Sequence, residues 1–336
     1  MQTLNLSTWT LEKGAPAPSA EGFACTPDAD GEVALSLSGT PGSLGGLTWS
    51  PEDYLIIDFC ADMDRMAVLL VEFEEQDGDP PQTLIVRNFY IPGRRVKLAV
   101  QLTELDSHRF FLPTLPGGLK GHVHGMPTHI GRIGKVRIRL ASNDSCRLLT
   151  LYGVHLAPAL PDMRVQGAPM VDPMGQRIGY DWPDKMHSIE EMTTYLRKEL
   201  AQAQSAKGYP DGWSRWGGWK AKRFDATGFF HTHHDGRRWW LVDPDGYAFF
   251  SNGVCYGSRM GVHGFVDRME SLFEWLPDRD DPTYRECWTT ADQIPEFVKR
   301  NGAAAGKGRA MFNFPRANMI RAFGPERWWD AWVTIN

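Results

Sequence analysis

Through the first 160 residues, short apolar runs recur between clusters of glycine, proline and aspartate. The runs at 32–38, 54–60, 66–74, 83–91, 94–101, 135–140 and 147–156 are rich in valine, isoleucine, leucine and phenylalanine, which is the pattern of β-strands. In KVRIRL, at 135–140, the alternation predicts that Val136, Ile138 and Leu140 face a core while Lys135, Arg137 and Arg139 face solvent. With DGDPP (77–81) and IPGRR (91–95) as turn signals, the spacing predicts an antiparallel β-sandwich of seven or eight strands over residues 1–160.

Residues 161–227 read as a connector whose prolines and glycines forbid long regular elements, apart from one helix. Ser188 followed by Glu191 forms a capping box, and Ile189, Met192, Leu196 and Leu200 recur on one face, predicting a helix over about 189–204. The turns His234-Asp235-Gly236 and Asp243-Pro244-Asp245-Gly246 then separate three strands near 228–233, 237–242 and 247–254. The third is nearly continuous in apolar residues, as a strand buried in a parallel sheet is. Two helices close the pattern, about 316–323 stopped by Gly324, and about 325–334 with Trp328, Trp329, Trp332 and Val333 on one face.

Composition sharpens the division. Of the 13 tryptophans only Trp9 and Trp49 precede residue 182, so the two halves bury their surfaces with different side chains. The net charge of −5, without a basic run, argues against nucleic acid as a partner. No run approaches the roughly 18 apolar residues of a membrane span, and the N-terminus carries no signal-peptide pattern. Cys25, Cys60, Cys146, Cys255 and Cys287 are odd in number and form no CxxC, so they read as small buried hydrophobes rather than a disulfide framework or zinc site.

Among groups that carry chemistry, His122, His124 and His129 lie close in sequence, but no carboxylate or cysteine follows at ligand spacing and the segment reads as a glycine-rich loop; no metal is expected. His231, His233 and His234 read as solvated residues of a hairpin. Asp243 and Asp245 are turn formers, and Glu270 and Glu274 are four apart on a candidate helix. Tryptophan faces stack on the C–H faces of pyranose rings, so the aromatic excess of the second half points to sugar contact as well as to packing.

At DPMGQRIGYDWPDKMHSIEEM and KAKRFDATGFFHTHHDGRRWWLVDPDGYAFFSNGVCYG the chain resembles glycoside hydrolase family 50, the β-agarases. The most specific residues are Asp172, Gly175-Gln176, Asp181-Trp182-Pro183 and Lys185, then Gly228-Phe229-Phe230, Gly236-Arg237, Trp239 to Pro244, and Gly246. The likeness covers roughly residues 170–336; the first 160 residues match in architecture. It implies a multidomain β plus α/β chain: a carbohydrate-binding-like sandwich over 1–160, the connector over 161–227, and over 228–336 the lead-in hairpin, first strand and first helix of a (β/α)₈ TIM barrel.

The resemblance implies hydrolysis of β-1,4 galactosidic bonds in agarose or a related galactan by a retaining two-glutamate route, without a cofactor. A full barrel takes about 250 residues, so this reading expects a truncated barrel with both glutamates beyond Asn336 and the chain alone inactive. Asn252, Tyr256, Ser258 and Arg259, at the end of the first barrel strand, are the candidate substrate-binding residues. An incomplete barrel exposes apolar surface, which predicts homo-oligomers or aggregates. The family acts mostly outside the cytoplasm, whereas this N-terminus shows no export signal. Two other readings stand beside it: a noncatalytic carbohydrate-binding or structural module, and a different glycoside hydrolase or lyase sharing the WWLVDPDG hairpin.

Overall fold

The structure is a computed structural model that describes residues 1–76, 81–106, 110, 112–141, 145–206, 208–251, 253, 263–302 and 306–336. It is mostly β-sheet with few helices, and it divides into two compact units. The first comprises Met1–Tyr180, Gly264–Leu276 and Trp288–Phe312; the second comprises Asp181–His263, Pro277–Cys287 and Asn313–Asn336.

Twelve strands build the sandwich of the first unit. They are β1 (Gln2–Leu4), β2 (Thr10–Lys13), β3 (Ala15–Ala17), β4 (Phe23–Thr26), β5 (Val33–Ser38), β6 (Tyr54–Asp62), β7 (Ala67–Glu75), β8 (Thr83–Tyr90), β9 (Val96–Gln101), β10 (Gly118–Gly125), β11 (Ile133–Leu140) and β12 (Leu148–Ala157). One sheet runs β3-β4-β12-β6-β9, with β1 also on β12; the other runs β10-β8-β7-β11-β5-β2. All pairings are antiparallel.

The core follows the alternation. Leu55, Ile57 and Phe59 of β6, Leu69, Val71 and Phe73 of β7, and Val136, Ile138 and Leu140 of β11 are all fully buried between the sheets. The outward residues of β11 are only half-exposed, because they join an ion ladder across the sheet. Lys135 and Arg137 meet Glu12 at 2.8 and 2.6 Å, Arg137 and Arg139 meet Glu72 at 2.9 and 3.2 Å, and Arg139 reaches Glu32 at 3.3 Å. Burial works to raise the Glu12 carboxyl, but hydrogen bonds from Lys135, Arg137 and Ser36 outweigh it and hold the pKa down at about 2.

One segment differs from expectation. HVHG belongs to β10, a regular strand paired with β8, rather than to a glycine-rich loop. The glycines are tolerated because β10 is an edge strand, where Gly125 ends the pairing at φ 91°.

The second unit holds a four-stranded sheet, β13 (Gly218–Arg223), β14 (His231–His234), β15 (Trp239–Val242) and β16 (Tyr247–Phe249), in the order β13-β16-β15-β14. The strand expected over 247–254 is thus three residues long and pairs antiparallel with both neighbours. The reason is local: the Asp243–Gly246 turn folds β16 straight back on β15. Residues 252 and 254 lie outside the described residues.

Helix α1 (Ile189–Ser205) starts as the capping box requires. The Glu191 N–H donates to Ser188 Oγ at 3.0 Å, and the Glu191 carboxylate accepts from the His187 N–H at 2.7 Å, one residue before the cap. In the first unit, β17 (Gly264–Phe265), β18 (Trp288–Thr290) and β19 (Ala310–Phe312) form a small antiparallel sheet beside α2 (Pro295–Asn301). In the second, α3 (Phe314–Phe323) and α4 (Trp328–Ile335) pack with α1. Asn313, fully buried, caps α3 by accepting from the Arg316 N–H at 3.0 Å, and Gly324 ends it at φ 85°. No helix among the described residues is long and apolar enough to cross a membrane.

Candidate functional site: an aromatic trough on the second unit

The four-stranded sheet exposes aromatic rings that a packed core would hide. Trp239 is 70% exposed and Phe250 71%, with Trp219 at 48% and Trp213 at 39%. Together with Arg238 and Trp240 these side chains line an open trough of about 620 Å³. Period two explains the arrangement of β15: Trp239 and Leu241 share the exposed face, while Val242 is fully buried on the other.

Two aspartates hold the strands that carry the trough. Asp235, at the β14–β15 turn, accepts from the Arg237 and Arg238 N–H groups at 3.0 Å each, from Trp240 Nε1 at 2.6 Å and from Lys222 Nζ at 3.1 Å. Those donors, the Arg238 backbone first, hold its carboxyl far below the usual range. The Lys222 ammonium and the Arg238 guanidinium both lie against the Trp240 ring, at 4.2 and 4.0 Å from its centroid.

Asp243, with no exposed surface, fixes the next turn. Its Oδ1 accepts from the Asp245 and Tyr247 N–H groups at 3.0 and 2.8 Å, and its Oδ2 accepts from the Ser214 hydroxyl. Ser214 Oγ in turn accepts from the Gly218 N–H at 2.9 Å, tying the start of β13 to the same carboxylate. A Cβ at Gly218 would lie 2.2 Å from Asp243 Oδ2, so a glycine is required there.

The other candidates fall as follows. Asn252, Tyr256, Ser258 and Arg259 lie outside the described residues. Glu270 sits in a single 3₁₀ turn, Glu270–Leu272, that Phe273 ends in extended conformation, so it and Glu274 do not share a helix face. His122 and His124 stack at 5.8 Å with Phe110 edge-on, and burial followed by neighbouring cationic side chains lowers the His122 pKa. His129 instead caps a turn, accepting from the Gly131 N–H at 3.3 Å. Among the described residues no group of three or more His, Cys, Asp or Glu side chains is arranged to hold a metal ion. His231 and His233 lie half-buried on one face of β14, with His233 against Phe224 at 4.5 Å; only His234 is exposed.

The connector motif also proves architectural. Asp172 Oδ1 accepts from the Met174 and Gln176 N–H groups at 2.9 and 2.8 Å, and Oδ2 accepts from Gln176 Nε2 at 2.9 Å. Asp172 and Asp243 therefore play one role, each closing a loop with a carboxylate that accepts backbone N–H groups two and four residues on.

The chain is similar to a β-agarase over about half its length. It is 30% identical over 193 residues to Beta-agarase B of Vibrio sp. (strain JT0107), a match that covers 52% of this chain and 19% of that protein. This bears out the resemblance read from the sequence. No protein-family model matches the chain. Among solved structures, PfGH50B aligns with 97% of this chain and 49% of its own at 18% identity and a TM-score of 0.46. An exo-β-agarase aligns at 17% identity and a TM-score of 0.42, over 98% of this chain and 52% of its own. The agarase AgWH50C aligns at 16% identity and 0.42, over 98% and 49%. The chain thus spans about a fifth of the curated agarase it matches and about half of these solved chains.

Proposed function

We propose that this chain is part of an agarase-like glycoside hydrolase acting on the β-1,4 galactosidic bonds of agarose or a related galactan, and that the tryptophan trough is a surface on which the polysaccharide lies. What carries the reading is the 30% identity to a β-agarase across 193 residues. The trough supports it physically. Indole faces held open by a rigid sheet offer the apolar, electron-rich surface that the axial C–H bonds of galactose meet, and the Arg238 side chain beside them is an obligate donor for sugar hydroxyls.

On this reading the hairpin is the lead-in to a (β/α)₈ unit, and hydrolysis follows the retaining route. One glutamate protonates the leaving oxygen and later activates water, while a second attacks the anomeric carbon. No carboxylate among the described residues is assigned to that pair, and Asn252, Tyr256, Ser258 and Arg259 are the candidates to contact the sugar. The trough alone needs no catalysis, which favours a noncatalytic carbohydrate-binding role as the second reading for these residues.

The test is affinity electrophoresis of the 336-residue protein through gels with and without agarose, alongside a reducing-sugar assay. The wild type should be retarded by agarose and release no reducing ends, and the Trp219→Ala/Trp239→Ala double variant should run freely. Equal mobility of wild type and variant in agarose would remove the trough from the reading.

A further inference from the structure

The sandwich of the first unit has an open side. β9 is the last strand of one sheet and β10 the last of the other, and among the described residues neither is covered by a further strand. Between them lies a cavity of about 470 Å³, within the range of about 300–1,000 Å³ common to small-ligand sites. It is lined from one sheet by Leu98 to Gln101 of β9, and from the other by Asn88, Tyr90 and the start of β10.

Asn88 is the anomaly. It occupies an inward position of β8, in the series Leu84, Val86, Asn88, Tyr90, where a sandwich packs apolar side chains. It is only 8% exposed, yet its amide Nδ2 donates to no acceptor among the described residues. A buried donor without an acceptor destabilises the fold, so its place here calls for a partner outside the protein. Its register partner on β10 is Gly121, and a Cβ there would lie 2.4 Å from Asn88 Oδ1. Glycine at 121 is what lets the Asn88 amide pack against β10 at the edge of the cavity.

The rim of the cavity is charged. Lys120, Arg268, Lys307 and Arg309 face two carboxylates, Glu104 and Asp267. Arg309 is committed: it pairs with Asp267 at 3.3 Å, donates to the Thr114 carbonyl and lies 4.2 Å from the Phe265 ring centroid. Arg268 and Lys307 enter no ion pair among the described residues, leaving the rim with an excess of positive charge. The backbone of Arg268 stands at φ 60°, held by its carbonyl accepting from the Val165 N–H and its N–H donating to the Glu270 carboxylate.

We propose that this cleft binds a hexose-sized sugar bearing an oxyanion, a sulfate ester or a carboxylate. The anion lies at Arg268 and Lys307, a ring hydroxyl accepts from Asn88 Nδ2, and the aliphatic wall of Leu98 and Leu112 covers the ring. The site is in the first unit and does not depend on the galactan reading of the trough in the second.

Calorimetric titration of the 336-residue protein with galactose 6-sulfate, galacturonate, galactose and inorganic sulfate tests it. Saturable binding of one of the two acidic sugars is expected, at least about tenfold tighter than galactose, and the tighter of the two identifies the anion. Arg268→Gln with Lys307→Gln should erase that preference. Asn88→Leu should weaken binding of the acidic sugar while raising the thermal midpoint, a combination that loss of fold does not produce. Binding of neither acidic sugar, equal binding of galactose, binding of inorganic sulfate alone, or undiminished binding by Asn88→Leu would each overturn the proposal.

Discussion

Asp243 is the residue on which the trough should most depend. Its carboxylate is fully buried and accepts from two backbone N–H groups and the Ser214 hydroxyl. Replacing it with alanine strands three donors, the Ser214 hydroxyl in a buried site and two part-buried backbone N–H groups. At about 1–3 kcal/mol for each unsatisfied buried group, and allowing for relaxation, Asp243→Ala should cost about 3–5 kcal/mol. Asp243→Asn keeps the Oδ1 acceptor for Asp245 and Tyr247 and disturbs only the Ser214 contact, so about 1–2 kcal/mol is expected. Gly218→Ala should resemble the alanine variant, because its Cβ drives into the same carboxylate. Urea unfolding followed by tryptophan fluorescence reads the effect in the right place, since nine of the thirteen tryptophans belong to the second unit. An Asp243→Ala midpoint corresponding to less than about 0.5 kcal/mol of destabilisation, or an asparagine variant as damaged as the alanine one, would refute the reasoning.

The Glu12 carboxyl is held at about 2, below its ordinary 4.5, so its contribution to stability is complete above about 4.5 and is lost as the pH falls toward 2. Glu12→Gln should therefore flatten the acid limb of a stability profile over that window, by about 1 kcal/mol after allowing for its partial exposure, as thermal melts at stepped pH would record. Burial pushes the Cys287 thiol up to about 12 and the Cys25 thiol up to about 11, so both should resist alkylation in the native protein near about pH 8 and react fully in denaturant, as peptide mapping would show. Phe229, Trp239 and Phe250 are more than two-thirds exposed, which predicts concentration-dependent self-association; a monodisperse monomer by light scattering at all concentrations would contradict it.

The long sandwich strands were legible from alternation alone, because each has one face that must be buried and the period of two is visible over six or more residues. Val136, Ile138 and Leu140 are inward as their spacing requires. The short strands β1 to β4 were not legible: at three or four residues they carry too little pattern and owe their conformation to the partners they pair with. β10 was hidden by its glycines and histidines, which only an edge position allows.

The motif aspartates show the same limit from another side. That Asp243 forms a turn follows from DPDG itself, whereas its bond to Ser214, 29 residues earlier, arises because β13 and β16 are neighbours in the sheet. The aromatic excess pointed toward sugars, but that Trp239 stays open while Val242 is buried was settled by the face of β15 each one occupies. Local spacing thus determined the long sandwich strands, the capped helix and the turn chemistry, since those depend on neighbours along the chain. Tertiary packing alone decided where an asparagine amide is buried without an acceptor among the described residues and where tryptophans stay in water, because burial is set by residues far apart in sequence.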